Sequence, residues 1–165
     1  VLKRLDASLI GGGKIGQVVQ TVKTSLFTTT SSSLTDVTGF SIAITPSATS
    51  SKILVMVQFS LGVTSGYKLY AQLLRGSTAI YIGDAAGSRL RRSFGSKTNA
   101  NDDARSVSII FLDSPNTTDA TTYKIQANPE SGGTLAFNAS IYSADNDSAL
   151  LSRDAASITV MEVLA

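Results

Sequence analysis

Few kinds of side chain in this sequence could do chemistry. The 165 residues include no His and no Cys. That removes His-dependent nucleophilic triads, Cys nucleophiles, His- or Cys-ligated zinc, haem, iron–sulfur clusters and disulfides. Carboxylates, Lys, Arg, Tyr and Ser remain. Asp102-Asp103 and Asp145/Asp147 are closely spaced acids in polar stretches, where they read as solvated. Paired-acid glycoside chemistry needs two carboxyls within about 5–10 Å across a cleft, a separation that spacing alone does not supply. Asp145-Asn146-Asp147 could offer oxygen ligands to calcium, but it lacks the Gly and closing Glu of an EF-hand. Gly11-Gly12-Gly13-Lys14 has neither the spacing of a phosphate loop nor its hydroxyl, since Ile15 follows. No catalytic residue, cofactor or metal is expected.

Two groups suggest recognition. Arg89, Arg91 and Arg92 form the densest positive charge and suit phosphate, sulfate or an acidic surface. The same arginines could equally be solvated, or pair with Asp84, Asp102 or Asp103. Tyr67 and Tyr70, with Tyr81 shortly after, could line a sugar-binding surface by stacking. Aromatics at strand spacing also serve as core or interface packing. A nucleic-acid partner is not expected. Only 16% of residues are charged, with 14 Lys+Arg against 12 Asp+Glu, too few for binding driven by counterion release. Nor is a membrane partner, because no stretch reaches the roughly 18–20 apolar residues that span a bilayer.

The elements that must carry these groups are strands. A hydrophobic content of 42% excludes a disordered chain. Ser and Thr, about a quarter of the residues, disfavour helix, and Thr suits a half-buried strand. Residues 1–16 read as an N-terminal arm: a short amphipathic piece (Leu2, Lys3, Arg4, Leu5, Leu9, Ile10) hinged on three glycines. Its apolar and basic side chains suit an arm that docks on a partner and orders there. The opening residues do not match a signal peptide, so synthesis in the cytoplasm is expected.

Residues 17–165 read as one β domain of about eight to ten strands, with Gly, Pro, Asn and Asp turns at sandwich or barrel spacing. Gln17–Lys23, Ser41–Thr45, Tyr67–Leu73, Thr78–Ile82, Tyr123–Ala127, Leu135–Ile141 and Ser157–Val163 alternate. Thr28–Ser33 reads as an exposed loop and residues 83–105 as the least regular stretch. Lys52–Phe59 is apolar on both faces, and Ser106–Leu112 reads as buried. A doubly apolar strand belongs inside a sandwich or between its own sheet and a neighbouring subunit.

Several phrases extend over residues 17–165: Ser41-Ile42-Ala43-Ile44-Thr45-Pro46-Ser47, Ser50-Ser51-Lys52-Ile53-Leu54-Val55, Leu73-Leu74-Arg75-Gly76-Ser77-Thr78-Ala79-Ile80, Phe111-Leu112-Asp113-Ser114-Pro115 and Ile158-Thr159-Val160-Met161-Glu162. Together they resemble a type of tailed-bacteriophage virion protein common among marine and cyanobacterial phages. The resemblance implies an antiparallel β-sandwich of jelly-roll form, like complement or tumour-necrosis-factor knobs. It also implies a homotrimer and a non-enzymatic role on the particle exterior. The implied partners are further copies of the chain and a major capsid or other virion protein. A decoration (cement) protein held by its arm is the leading expectation. The knob of a head or tail fibre that reads host-surface glycans is the alternative.

Overall fold

The computed structural model describes residues 14–142, 147–149 and 151–164, and no helix appears among them. The strands are β1 (Lys14–Lys23), β2 (Phe27–Thr29), β3 (Thr35–Ile44), β4 (Lys52–Val63), β5 (Lys68–Arg75), β6 (Thr78–Ile80), β7 (Phe94–Lys97), β8 (Arg105–Asp113), β9 (Thr121–Pro129), β10 (Leu135–Phe137) and β11 (Ala156–Leu164). They form two antiparallel sheets. The first runs β8-β4-β11-β1, with β10 on the β11 side of β4 and β2 beyond it. The second runs β3-β9-β5-β6, with β7 also on the β6 side of β5.

The pairing is nested. β1 pairs with β11, β3 with β9, β4 with β8, and β5 with β6 and β7. A chain folded back on itself in this way and wrapped into two sheets is a jelly roll. The expected sandwich is therefore present, and the jelly-roll order follows from the strand pairs.

Local chemistry accounts for the turns. Gly76 supplies a left-handed φ of 58° in the two-residue loop between Arg75 and Thr78, the conformation a tight hairpin demands. Pro46 follows β3 directly after Thr45, where a missing N–H cannot continue a ladder. At Gly62 a Cβ would sit 2.8 Å from the Ala139 carbonyl and the Ser140 Cα, so the crossing of residues 138–141 over β4 requires glycine.

Alternation fills the space between the sheets. Ile53, Val55 and Val57 of β4 face Leu69, Ala71 and Leu73 of β5, and all six are fully buried. Phe40, Phe59 and Phe137 form an aromatic knot across the layers, with ring centroids 5.1 to 6.3 Å apart. Each fully buried aliphatic or aromatic chain contributes about 1.5–3 kcal/mol, so this layer carries most of the stability.

Two polar ties fix how the sheets sit on each other. Asp113, at the end of β8, accepts Arg75 Nη1 on both oxygens (2.8 and 2.9 Å) and the Tyr123 hydroxyl at 2.7 Å. Arg75 and Tyr123 are paired neighbours on β5 and β9, so one buried carboxylate holds the second sheet to the first. Burial, then the hydrogen bond to Asp113, pushes the Tyr123 phenol far above its usual range. On the other side of β4 the buried Glu162 of β11 accepts the Ser47 N–H and hydroxyl, both at 2.6 Å, and Gln17 Nε2 at 2.9 Å. Gln17 Nε2 also reaches the Thr45 carbonyl at 2.6 Å. Donation from the Ser47 side chain and from Gln17 outweighs burial and holds Glu162 down at about 2.

The structure corrects four sequence expectations. Phe27–Thr29, at the edge of the expected loop, is a strand because its backbone pairs with Leu135–Phe137. Phe94–Lys97, inside the irregular stretch, pairs with β5. Leu135–Ile141, read as one strand, is a strand only over Leu135–Phe137. Ser106–Leu112 is buried on one face only: β8 pairs with β4 alone, and Ile110 is 61% and Leu112 47% exposed. β1 opens at Lys14, inside the expected arm, and the rest of that arm lies outside the described residues.

Two outcomes test the ties. Asp113→Ala strands a guanidinium and a buried hydroxyl and should cost on the order of 3 kcal/mol in urea unfolding, whereas Tyr123→Phe should cost about 1 kcal/mol. Glu162 has a lowered folded-state pKa, so its contribution is complete above about pH 4.5 and fades as pH falls towards about 2. Thermal unfolding of Glu162→Gln between pH 5 and pH 2 should fall less steeply than that of the unaltered chain.

Candidate functional site

Most of the described acids are tied into the fold. Besides Asp113 and Glu162, Asp154 accepts the Ser60 hydroxyl at 2.6 Å and Asp103 lies 3.6 Å from Arg105. Asp36 accepts Lys124 and Gln126, both at 2.7 Å, and these donors hold its carboxyl below the usual range. Asp102 and Asp147 line one open hollow with Ser65, Asn101 and Tyr142. No group of three potential metal-ligating residues occurs among the described residues. Asp145 and Asn146 of the suggested calcium loop lie outside them, as do the anchoring residues Leu2, Lys3, Arg4, Leu5, Leu9 and Ile10.

The tyrosines do not form one surface. Tyr67 continues the inward row of Leu69, Ala71 and Leu73, and its ring covers the Gly132-Gly133 turn. Tyr70 points to the opposite face, beside Gly95. Alternation along one strand separates them, so the suggested Tyr67–Tyr70 platform is absent.

The arginines part as well. Arg89 is exposed on the loop. Arg91 Nε donates to the Gly83 carbonyl at 2.7 Å, and Arg92 Nη1 donates to its neighbour's carbonyl at 2.9 Å. None of the three pairs with a carboxylate among the described residues, so pairing with Asp84, Asp102 or Asp103 is not seen.

What Arg91 and Arg92 do share is a hollow at the edge of the sandwich, between β6, β8 and the loop after β6. Tyr81 forms its shelf. The buried Ile80 ends β6, and the next residue adopts a φ of 52°, a left-handed turn that costs a non-glycine residue about 1–2 kcal/mol. The turn sets the Tyr81 ring 5.4 Å from that of Phe111, and Tyr81 stays 47% exposed. Phe111 was not singled out in sequence because it sits within an apolar run. Its role depends on β8 being an edge.

The second candidate is the outer face of the first sheet. The pairings bring Val18, Met161, Leu54 and Leu112 into one apolar row across all four strands, flanked by a row of Ile15, Val163 and Lys52 and by a row of Gln20, Thr159, Met56 and Ile110. Ile15, Val18, Ile110 and Leu112 are exposed, and Leu54 and Met56 half-buried. The outer face of the other sheet carries Asp36, Thr122, Lys124 and Gln126 instead. One face is therefore greasy and the opposite face wet. Four strands about 4.8 Å apart make a patch roughly 15–20 Å across, enough for the centre of one interface with a polar rim.

No protein-family model matches the chain, and no curated protein matches it. Among solved structures, a chain in the structure of the infectious bursal disease virus Gx strain is similar with a TM-score of 0.44 and 14% identity, over 93% of this chain and 37% of that one.

Proposed function

We propose that this chain is a non-enzymatic structural protein of a virion exterior, a capsid decoration protein that assembles as a homotrimer and is anchored by its N-terminal arm. The observation that carries the reading is the apolar outer face of β8-β4-β11-β1. A contiguous patch of this kind on a folded domain marks a contact surface, and its polar counterpart across the sandwich gives the molecule one side to bury and one to expose. Most of the described carboxylates are bound into structural contacts, which favours a building block over a catalyst. The phage-like phrases of strand and turn suggest the particle and the number three. Ile15, paired to Val163 near the start of β1, extends that apolar face towards the described beginning of the chain.

The second reading, a fibre knob that recognises host-surface glycans, draws on the Tyr81–Arg92 hollow. Labelling of intact particles separates the two: an exclusive tail-tip position would end the decoration reading.

Light scattering should give a mass three times 17.2 kDa, and a monomer at micromolar concentration would overturn the assembly. Met56→Lys with Ile110→Lys, both on the outward face, should yield folded monomers. Deleting residues 1–13 should leave a folded trimer that no longer attaches to its particle.

A further inference from the structure

We propose that the hollow bounded by Tyr81, Phe111, Arg91 and Arg92 binds a carboxylate-bearing saccharide, with the sugar on the Tyr81 ring and its carboxylate on the guanidinium groups. The inference deepens the glycan-recognition reading, and it needs only the folded chain, with no neighbouring copy.

Three observations converge. The first is strain. Tyr81 keeps a left-handed backbone that glycine would adopt without cost, and a strained, exposed aromatic residue points to a use beyond packing. Its ring is propped at an interplanar angle of 49° on Phe111, so the exposed side stands as a fixed apolar surface of the sort that takes the C–H face of a pyranose.

The second is unanswered positive charge. The Arg91 guanidinium is anchored through Nε to Gly83 O, which leaves its terminal nitrogens to form a fork suited to a carboxylate. Arg92 lines the same hollow, with Nη1 donating to the Arg91 carbonyl at 2.9 Å and to Gln72 Oε1 at 3.4 Å, and adds its positive charge beside that fork.

The third is shape. The hollow has a volume of about 860 Å³, within the roughly 300–1,000 Å³ of small-ligand sites. The hollow is shallow and open, so one or two sugar rings would lie on the aromatic shelf with their outer side in water.

Isothermal titration of the intact chain with a galacturonic acid trisaccharide, a neutral galactose trisaccharide and acetate tests the proposal. The acidic trisaccharide should bind at least tenfold more tightly than either of the others, and more weakly as salt is raised. Arg91→Gln should weaken it tenfold or more. Tyr81→Gly, which removes the ring while relieving the backbone, should do the same with the fold retained. No binding of the acidic trisaccharide, equal binding of the neutral one, acetate binding as tightly, or unchanged affinity in Arg91→Gln would each overturn the site. A chain that forms trimers yet fails this titration loses only this inference, and a monomer that passes it loses only the assembly.

Discussion

A β-strand has two faces, and in the β8-β4-β11-β1 sheet the inner one is apolar throughout its core while the outer one carries an apolar band bordered by Lys52, Gln20 and Thr159. Ile53, Val55 and Val57 are fully buried between the layers, while Leu54 and Met56, one residue out of phase, look the other way. The hydrophobic effect that closes the sandwich is satisfied on one side only. The outer side still presents apolar area to water, and a stable assembly is the physical means of removing it. The other sheet is free of this constraint, because Asp36, Thr122, Lys124 and Gln126 make its outer face compatible with solvent. The proposed role follows from this asymmetry more than from any single residue.

The polar ties complement the core by selecting one arrangement of it. Apolar layers about 10 Å apart could slide or rotate at modest cost. A carboxylate that must satisfy a guanidinium and a phenol from the facing sheet permits little of either. Asp113 does this at one edge. Glu162, on the inner strand β11, ties through Gln17 and Ser47 the first strand, the last strand and the β3–β4 connection. Buried ion pairs add little net stability compared with apolar substitutes of equal volume, so their value here lies in register.

The sandwich edge behaves differently from its middle. β8 has a neighbour on one side only, and β6 and β7 are short strands sharing one side of β5. Chain leaving such an edge is not dictated by a ladder, so the left-handed turn at Tyr81 and the loop carrying Arg91 and Arg92 can take conformations that a central strand could not. The rigid layers position the hollow, and the edge gives it freedom of shape.

Local pattern is enough to set the class of the molecule. Alternation in Ser41–Thr45, Tyr67–Leu73 and Tyr123–Ala127 is local and survives in the fold, as does the doubly apolar character of Lys52–Phe59. The absence of His and Cys narrows the chemistry to carboxylates, Lys, Arg, Tyr and Ser. Tertiary structure alone decided which strands are edges, and that turned Ile110 and Leu112 from expected core into exposed surface. It separated Tyr67 from Tyr70 by the pleat, found the short strands β2 and β7 that only their partners stabilise, and brought Phe111 to Tyr81. Each of these depends on contacts between residues far apart in the chain, where strand order, and not local pattern, sets the neighbour.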